Sequence, residues 1–196
     1  LGDYAEAENI YNKIINCTNP STDIYYQLAL TFGNQQKYMS ALLAFQEALK
    51  LNPNDFEIKY QLGVAYKELG IYYQAANYFE TYIYENDDDA LAFFLLGTCY
   101  LQMYDYPAAL LAFEKANILM PNDNKVLYNW GLCYLNLGES EDAARKFREA
   151  LKINSDDPNI YYALGKSYHK LNKHKKKKEV LDILYMLDRE LYGLLQ

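Results

Sequence analysis

Apolar residues recur along this chain in short blocks at helical spacing, set apart by polar turns. Leu62, Ala65, Tyr66 and Leu69 stand at i, i+3, i+4 and i+7, the spacing that gathers side chains on one face of a helix. Each such block is followed by a second with the same periodicity, so the chain reads as antiparallel helix pairs. Local signals mark the boundaries. Asp157 can cap the helix that Pro158 begins, because an aspartate accepts unpaired N–H groups and proline suits the first turn. Pro107 and Ser140 mark the starts of second helices. Gly70 and Gly138 permit the tight turn inside a pair.

The pairs repeat every 34 residues. Residues 56–89 carry Leu62-Gly63, Tyr66, Gly70, Ala75 and Phe79. Residues 90–123 carry Leu96-Gly97, Tyr100, Ala109, Phe113 and Pro121, and residues 124–157 carry Trp130-Gly131, Tyr134, Gly138, Ala143 and Phe147. Upstream, 22–55 shows Leu28-Ala29, Phe32, Ala41, Phe45 and Pro53; downstream, 158–191 opens with Leu164-Gly165 and Tyr168 and then departs. Residues 1–21 match only the second half of a unit: Gly2-Asp3-Tyr4 aligns with Gly70-Ile71-Tyr72, Ala7 with Ala75 and Tyr11 with Phe79. A helix over about 4–17 is expected to have an uncovered apolar flank, with more repeat or a partner N-terminal to it in the parent protein. The column Ala29, Gly63, Gly97, Gly131, Gly165 has no bulk and is expected to face the column Ala7, Ala41, Ala75, Ala109, Ala143. Leu28, Leu62, Leu96, Trp130 and Leu164 are expected to fill the space between repeats, with the Phe45, Phe79, Phe113, Phe147 column.

These columns closely resemble the tetratricopeptide repeat, which has a 34-residue period with L-G, Y, A, F and P at fixed offsets. The resemblance covers nearly the whole chain. It implies an all-α fold, a right-handed α-solenoid of helix-turn-helix repeats forming a single array over 1–196. The array would hold a half repeat at 1–21, full repeats at 22–55, 56–89, 90–123, 124–157 and 158–191, and a C-terminal capping helix. About three repeats suffice to bury a continuous core.

Composition narrows the function. A net charge of −7 argues against general nucleic-acid binding. Tyrosine is abundant at 22, but 12 of these fall into three repeat columns and are accounted for by architecture. Of the three cysteines, Cys99 and Cys133 share a column of small packing residues; odd count and wide spacing favour buried thiols in a reducing compartment, and a cytoplasmic location. No apolar run approaches the roughly 18 residues of a membrane span. Asp87-Asp88-Asp89 lacks the glycine turn and distal glutamate of a calcium loop and reads as helix capping. His169 and His174 do not share a helical face, so no metal pair is expected, and no cofactor. There is no phosphate loop and no nucleophile with a base, so the chain reads as non-catalytic.

Two segments break the pattern. Residues 166–178 hold Lys166, Lys170, Lys173 and Lys175 to Lys178, 7 of the 19 basic residues. This run reads as a solvated end-cap, with an acidic partner as the alternative. Lys177 occupies the alanine column, so the helix there is expected to start later or to tilt. Beyond 179, Val180, Leu181, Leu184, Leu187, Leu191 and Leu194 form an apolar stripe, read as a final solvating helix or a self-association surface.

The resemblance further implies that first helices line a concave face. One column there is Tyr26, Tyr60, Phe94, Tyr128, Tyr162; beside it run Leu95, Asn129, Leu132, Leu101 and Leu135, with Leu91 and Lys125 at the rim. The family's carboxylate clamp for chaperone C-termini needs Lys, Asn and Arg at such places, and only Lys125 and Asn129 have suitable chemistry. The asparagine ladder of its sugar-transferring members is also absent. What remains is an apolar and aromatic groove, densest at Leu91, Phe94, Leu95 and Leu101. A protein scaffold or adaptor that binds a peptide or helical segment is the expected function. The stretch DDDALAFFLLGTCYLQMYDYPAALLAFEKA also resembles type III secretion translocator chaperones, which hold an unfolded client segment, and a substrate-docking module of a larger enzyme is a third reading. Homo-association through the open N-terminal face or the C-terminal helix is a further possibility.

Overall fold

A computed structural model describes residues 4–17 and 20–195, entirely as helices and turns. The match of Gly2-Asp3 to the repeat, and the Cys17 side chain, lie outside what is described. The helices form two compact units, residues 1–88 and 89–196.

In the first unit, α1 (Tyr4–Cys17) precedes two complete pairs, α2 (Thr22–Asn34) with α3 (Tyr38–Leu51) and α4 (Phe56–Glu68) with α5 (Tyr72–Glu85). Helix α1 packs on α2, and α3 packs on α4 to join the pairs. The second unit holds α6 (Ala90–Gln102) with α7 (Tyr106–Leu119), α8 (Asn124–Leu137) with α9 (Ser140–Ile153), and α10 (Pro158–Lys170) with α11 (His174–Leu187). The short α12 (Arg189–Gly193) returns onto α10 and α11.

Capping aspartates start the first helices α4, α6, α8 and α10. Asp55 accepts the Ile58 N–H, Asp89 those of Leu91 and Ala92, Asp123 those of Lys125 and Val126, and Asp157 that of Asn159. Each such cap is worth about 1 kcal/mol. Of the Asp87-Asp88-Asp89 run, Asp89 is the one that caps.

The turn inside each pair is built identically. Gln36, Gly70, Tyr104, Gly138 and Asn172, spaced by 34, all have positive φ. The next N–H reaches back to a carbonyl five residues earlier, at 2.9 Å in every case: Lys37 to Phe32, Ile71 to Tyr66, Asp105 to Tyr100, Glu139 to Tyr134, Lys173 to Tyr168. This is the Schellman arrangement, which satisfies the last carbonyls of the first helix. Glycine meets the backbone requirement at two of the five turns; Gln36 and Tyr104 adopt it against the side-chain preference for negative φ.

The bulkless column also makes room for a ring. A Cβ at Gly63, Gly97 or Gly131 would stand 2.9, 2.7 or 2.6 Å from a ring carbon of Phe79, Phe113 or Phe147. The glycine therefore admits the phenylalanine of its own repeat, and Ala75, Ala109 and Ala143 of the same repeats are fully buried. Leu28, Leu62, Leu96, Trp130 and Leu164 are buried as expected. The Lys146 ammonium sits 3.6 Å from the Trp130 ring centroid, a cation–π contact on a half-buried stem. Cys99 and Cys133 are buried and not disulfide-bonded. Burial pushes the Cys133 thiol up to about 12.

The last repeat departs from expectation in two ways. Helix α11 starts at His174, 34 residues after Ser140, so it does not start late. The turn at Asn172 and the long stem of Lys177 let the register hold despite the lost alanine. The apolar stripe is not one final helix: α11 stops at Leu187, and Asp188 caps α12 through the Leu191 N–H. Val180 and Leu184 are buried, Leu187 and Leu194 are exposed, and Leu195 turns inward beside Gly165. Leu181 stands where the other repeats have phenylalanine, and Leu195 takes that space instead.

Three outcomes follow from this packing. Tyr104→Gly should stabilise the second unit by about 0.5–1 kcal/mol in urea denaturation, because relief of the left-handed backbone outweighs the added chain entropy; Gly138→Ala should cost about 1–2 kcal/mol. Leu195→Ala should cost about 2 kcal/mol locally, seen as faster amide exchange in α10 and α11 with α6 and α7 unchanged. Cys133 should resist a thiol reagent in the folded chain across pH 7–9, because the thiol stays protonated well above its ordinary range; denaturation should expose it at once.

Candidate functional site

The first helices carry the candidate residues, and the 34-residue spacing places them in register. Tyr26, Tyr60, Phe94 and Tyr128 of the Tyr/Phe column each lie against the phenylalanine of their own repeat. Ring centroids are 5.6 Å apart for Tyr26 and Phe45, 5.7 Å for Tyr60 and Phe79, 6.0 Å for Phe94 and Phe113, and 5.9 Å for Tyr128 and Phe147. Tyr60 also meets Tyr82 at 4.9 Å. Such pairs are worth about 0.5–1.5 kcal/mol beyond their burial. Within each unit these aromatics are half-buried, with the phenylalanine ring of the repeat against one face.

In the second unit, α6 neighbours α8 and α8 neighbours α10. Leu91 is 51% exposed at the start of α6, and Leu95, one turn on, is half-buried. Phe94, Leu101, Tyr128 and Leu132 are half-buried against the core of this unit. Leu135 differs from expectation: it is 6% exposed and belongs to that core, so it cannot line an open face. The α10 side chain of Lys170 donates to its carbonyl at 3.0 Å and helps close this end. Lys125 is exposed, and the half-buried Asn129 donates to the Lys125 carbonyl of its own helix. Tyr162 is half-buried beneath the Lys166 ammonium, 5.3 Å away.

The lysine-rich segment is partly structural. Lys173 donates to Glu141 at 2.6 Å, which holds that carboxyl below its usual range. Lys176 lies over the Tyr168 ring. In the first unit Lys37, in the same column as Lys173, likewise pairs with Glu8 of the preceding second helix at 2.8 Å.

The first unit holds two features that the periodicity does not single out. A cavity of about 190 Å³ opens between α2, α3 and α4, lined chiefly by Leu30, Gly33, Phe45, Gln61 and Val64. Near the starts of α2 and α4, Asp23, Tyr26, Asp55 and Glu57 surround a second hollow. The Tyr26 hydroxyl donates to Glu57 at 3.3 Å, and Gln61 donates to the same oxygen at 3.0 Å. Burial first, and then the Glu57 charge, push the Tyr26 phenol up to about 12, so it remains a donor. The signal for the cavity is present in the sequence: Gly33 occupies the column of Lys67, Leu101 and Leu135.

Among the described residues there is no group of three or more His, Cys, Asp or Glu able to hold a metal ion. No described helix is long and apolar enough to cross a membrane.

Family comparison agrees with this geometry. Models described as tetratricopeptide repeat match residues 22–55, 60–124 and 158–189, and one described as TPR repeat matches 134–172. No curated protein sequence matches the chain. Among solved structures, a crystal structure of MamA protein superposes with a TM-score of 0.81 at 20% identity, covering 88% of this chain and 94% of that one. MamA from residue 41 onward of Desulfovibrio magneticus RS-1 gives 0.82 at 22%, covering 86% and 96%. YrrB, described as a TPR protein with an unusual peptide-binding site, gives 0.79 at 22%, covering 93% and 95%. At these identities the likeness is one of fold. With the repeat models reaching from residue 22 to 189 and paired helices observed throughout, this chain belongs to the tetratricopeptide repeat family.

Proposed function

We propose that the chain is a non-catalytic interaction scaffold whose second unit binds a peptide or helical segment of a protein partner on the apolar face of α6 and α8. The observation that carries this reading is Leu91, half-exposed at the start of α6 with Leu95 one turn away. In the other repeats the Leu91 position is Asp23, Glu57, Lys125 and Asn159, and the Leu95 position is Gln27, Gln61, Asn129 and Ala163. Helix surfaces facing water ordinarily take polar residues at such places, and contiguous exposed apolar area marks interaction surfaces. Phe94, Tyr128 and Leu132 extend the patch, and their rings and branches are held by the core, so little order need be gained on binding. Lys125 and Asn129 supply polar groups at its edge. Tyr26, Tyr60 and Tyr162 occupy the corresponding column elsewhere and serve chiefly as packing.

The test is quantitative affinity capture with the wild-type chain and the Leu91→Glu/Leu95→Glu variant, followed by titration of the purified partner. Burying one leucine is worth about 1.5–3 kcal/mol, and 1.4 kcal/mol is tenfold. Binding should therefore weaken at least about tenfold, with helicity by circular dichroism unchanged. Equal affinity for both forms would remove the α6 face from the site.

A further inference from the structure

We propose that the furrow between α2 and α4 of the first unit is a separate recognition site for an extended peptide carrying one basic and one bulky apolar side chain about three residues apart. This inference shares the reading of the chain as an interaction scaffold, but it does not depend on the α6 and α8 face.

Gly33 is the starting point. It lies inside α2, three residues before the positive-φ turn residue Gln36, so the turn does not require it. Close packing does not require it either, since a Cβ built there meets nothing within 4 Å. In the second unit the same column holds Leu101, half-buried, and Leu135, buried. Leaving that side chain out creates the cavity of about 190 Å³ bounded by Leu30, Phe45 and Val64. An apolar cavity of about 150 Å³ is large enough to take up a benzene ring, so a leucine or phenylalanine side chain fits this one.

The second hollow, one helical turn away on both α2 (Tyr26 to Leu30) and α4 (Glu57 to Gln61), sets the sign of charge. Asp23, Asp55 and Glu57 line the second hollow, and no ion pair among the described residues involves any of them. Asp55 is engaged as a helix cap. Asp23 and Glu57 remain to receive a cation, with Glu57 oriented by Tyr26 and Gln61. The lysines nearest the Gly33 end in sequence register, Lys37 and Lys67, are already paired with Glu8 and Glu68. Glu57 and Val64 are seven residues apart on α4, which is about 10 Å along a helix. An extended peptide covers that distance in about three residues. Gln61 and Asn34 also line the cavity, and a side-chain amide has donor and acceptor groups that suit a peptide backbone.

The test is fluorescence anisotropy of the full 196-residue chain with labelled peptides in a Ser/Ala background. They carry an arginine and a leucine three residues apart, in either order. One order should bind; replacing its leucine by alanine, or its arginine by glutamate, should weaken binding about tenfold or more. Gly33→Leu should weaken it about tenfold while raising the melting temperature, so lost folding cannot explain the loss. Asp23→Lys/Glu57→Lys should reverse the preference toward the glutamate peptide. Leu91→Glu/Leu95→Glu should leave the affinity unchanged. The proposal is overturned if neither order binds better than the glutamate control, or if Gly33→Leu binds as well as wild type. Binding lost in the Leu91→Glu/Leu95→Glu form but kept in Gly33→Leu would overturn it too, while leaving the α6 and α8 reading intact.

Discussion

The contact between a glycine on the first helix and a phenylalanine ring on the second is the constraint on which the three repeats from 56 to 157 depend. At Gly63, Gly97 and Gly131 a single methyl group would intrude on the ring. The absent Cβ lets the ring enter between the helices, and the ring then fixes how close they lie. It also supports the Tyr or Phe of the inner column, edge-on at Tyr60 and tilted at Phe94 and Tyr128. One packing decision thus produces both the core and the aromatic floor of the candidate face. The last repeat shows the dependence by exception. It has no phenylalanine at position 181, and the chain returns Leu195 to the space beside Gly165. Helix α12 delivers that side chain, and the chain breaks at Asp188 to do so instead of continuing as one long helix.

The 34-residue period makes most of the fold legible in the amino-acid sequence. A column that recurs at that spacing marks its own helix face, so helix starts, turns and the Leu/Trp layer follow from it directly. What the period does not supply is depth and partnership. Glycine in a column says that something approaches closely, not whether an alanine or a ring does so. Leu101 and Leu135 occupy equivalent positions, yet one is half-buried and the other buried, because neighbours in the next repeat differ. Leu135 lies beneath Lys170, whose ammonium bonds its carbonyl. Lys177 is at odds with the alanine column by residue type, but a lysine stem is slender and its charge can reach water. The role of Leu195 comes from a chain reversal, which no helical spacing encodes.

The candidate sites are legible to a different degree. Leu91 stands out in an otherwise polar column and Leu95 in one that is polar in three of the other four repeats, and the structure keeps Leu91 exposed. The α2 and α4 furrow shows in the sequence only as a glycine that interrupts a column, and its meaning needs the surrounding walls. In a repeat protein the columns that hold are those that pack, so information about a partner has to reside where a column breaks. Gly33, Leu91 and Leu95 are such breaks; a Cβ at Gly33 would meet nothing, and Leu91 is half-exposed.

Tyr26 shows how the two layers meet. Its ring is committed to Phe45 as structure, while its hydroxyl points to Glu57 at the surface. Burial acts first on the phenol and the Glu57 charge second, and both favour the protonated form, so the hydroxyl stays a donor far above neutral pH. Together with Gln61 it gives Glu57 two neutral donors. Neutral donors orient a carboxylate without cancelling its charge, whereas a lysine in the same place would do both. A carboxylate held in this way is organised before a cation arrives, and its orientation need not be gained at the moment of binding. The same column that packs the repeat therefore also sets the orientation of a surface carboxylate.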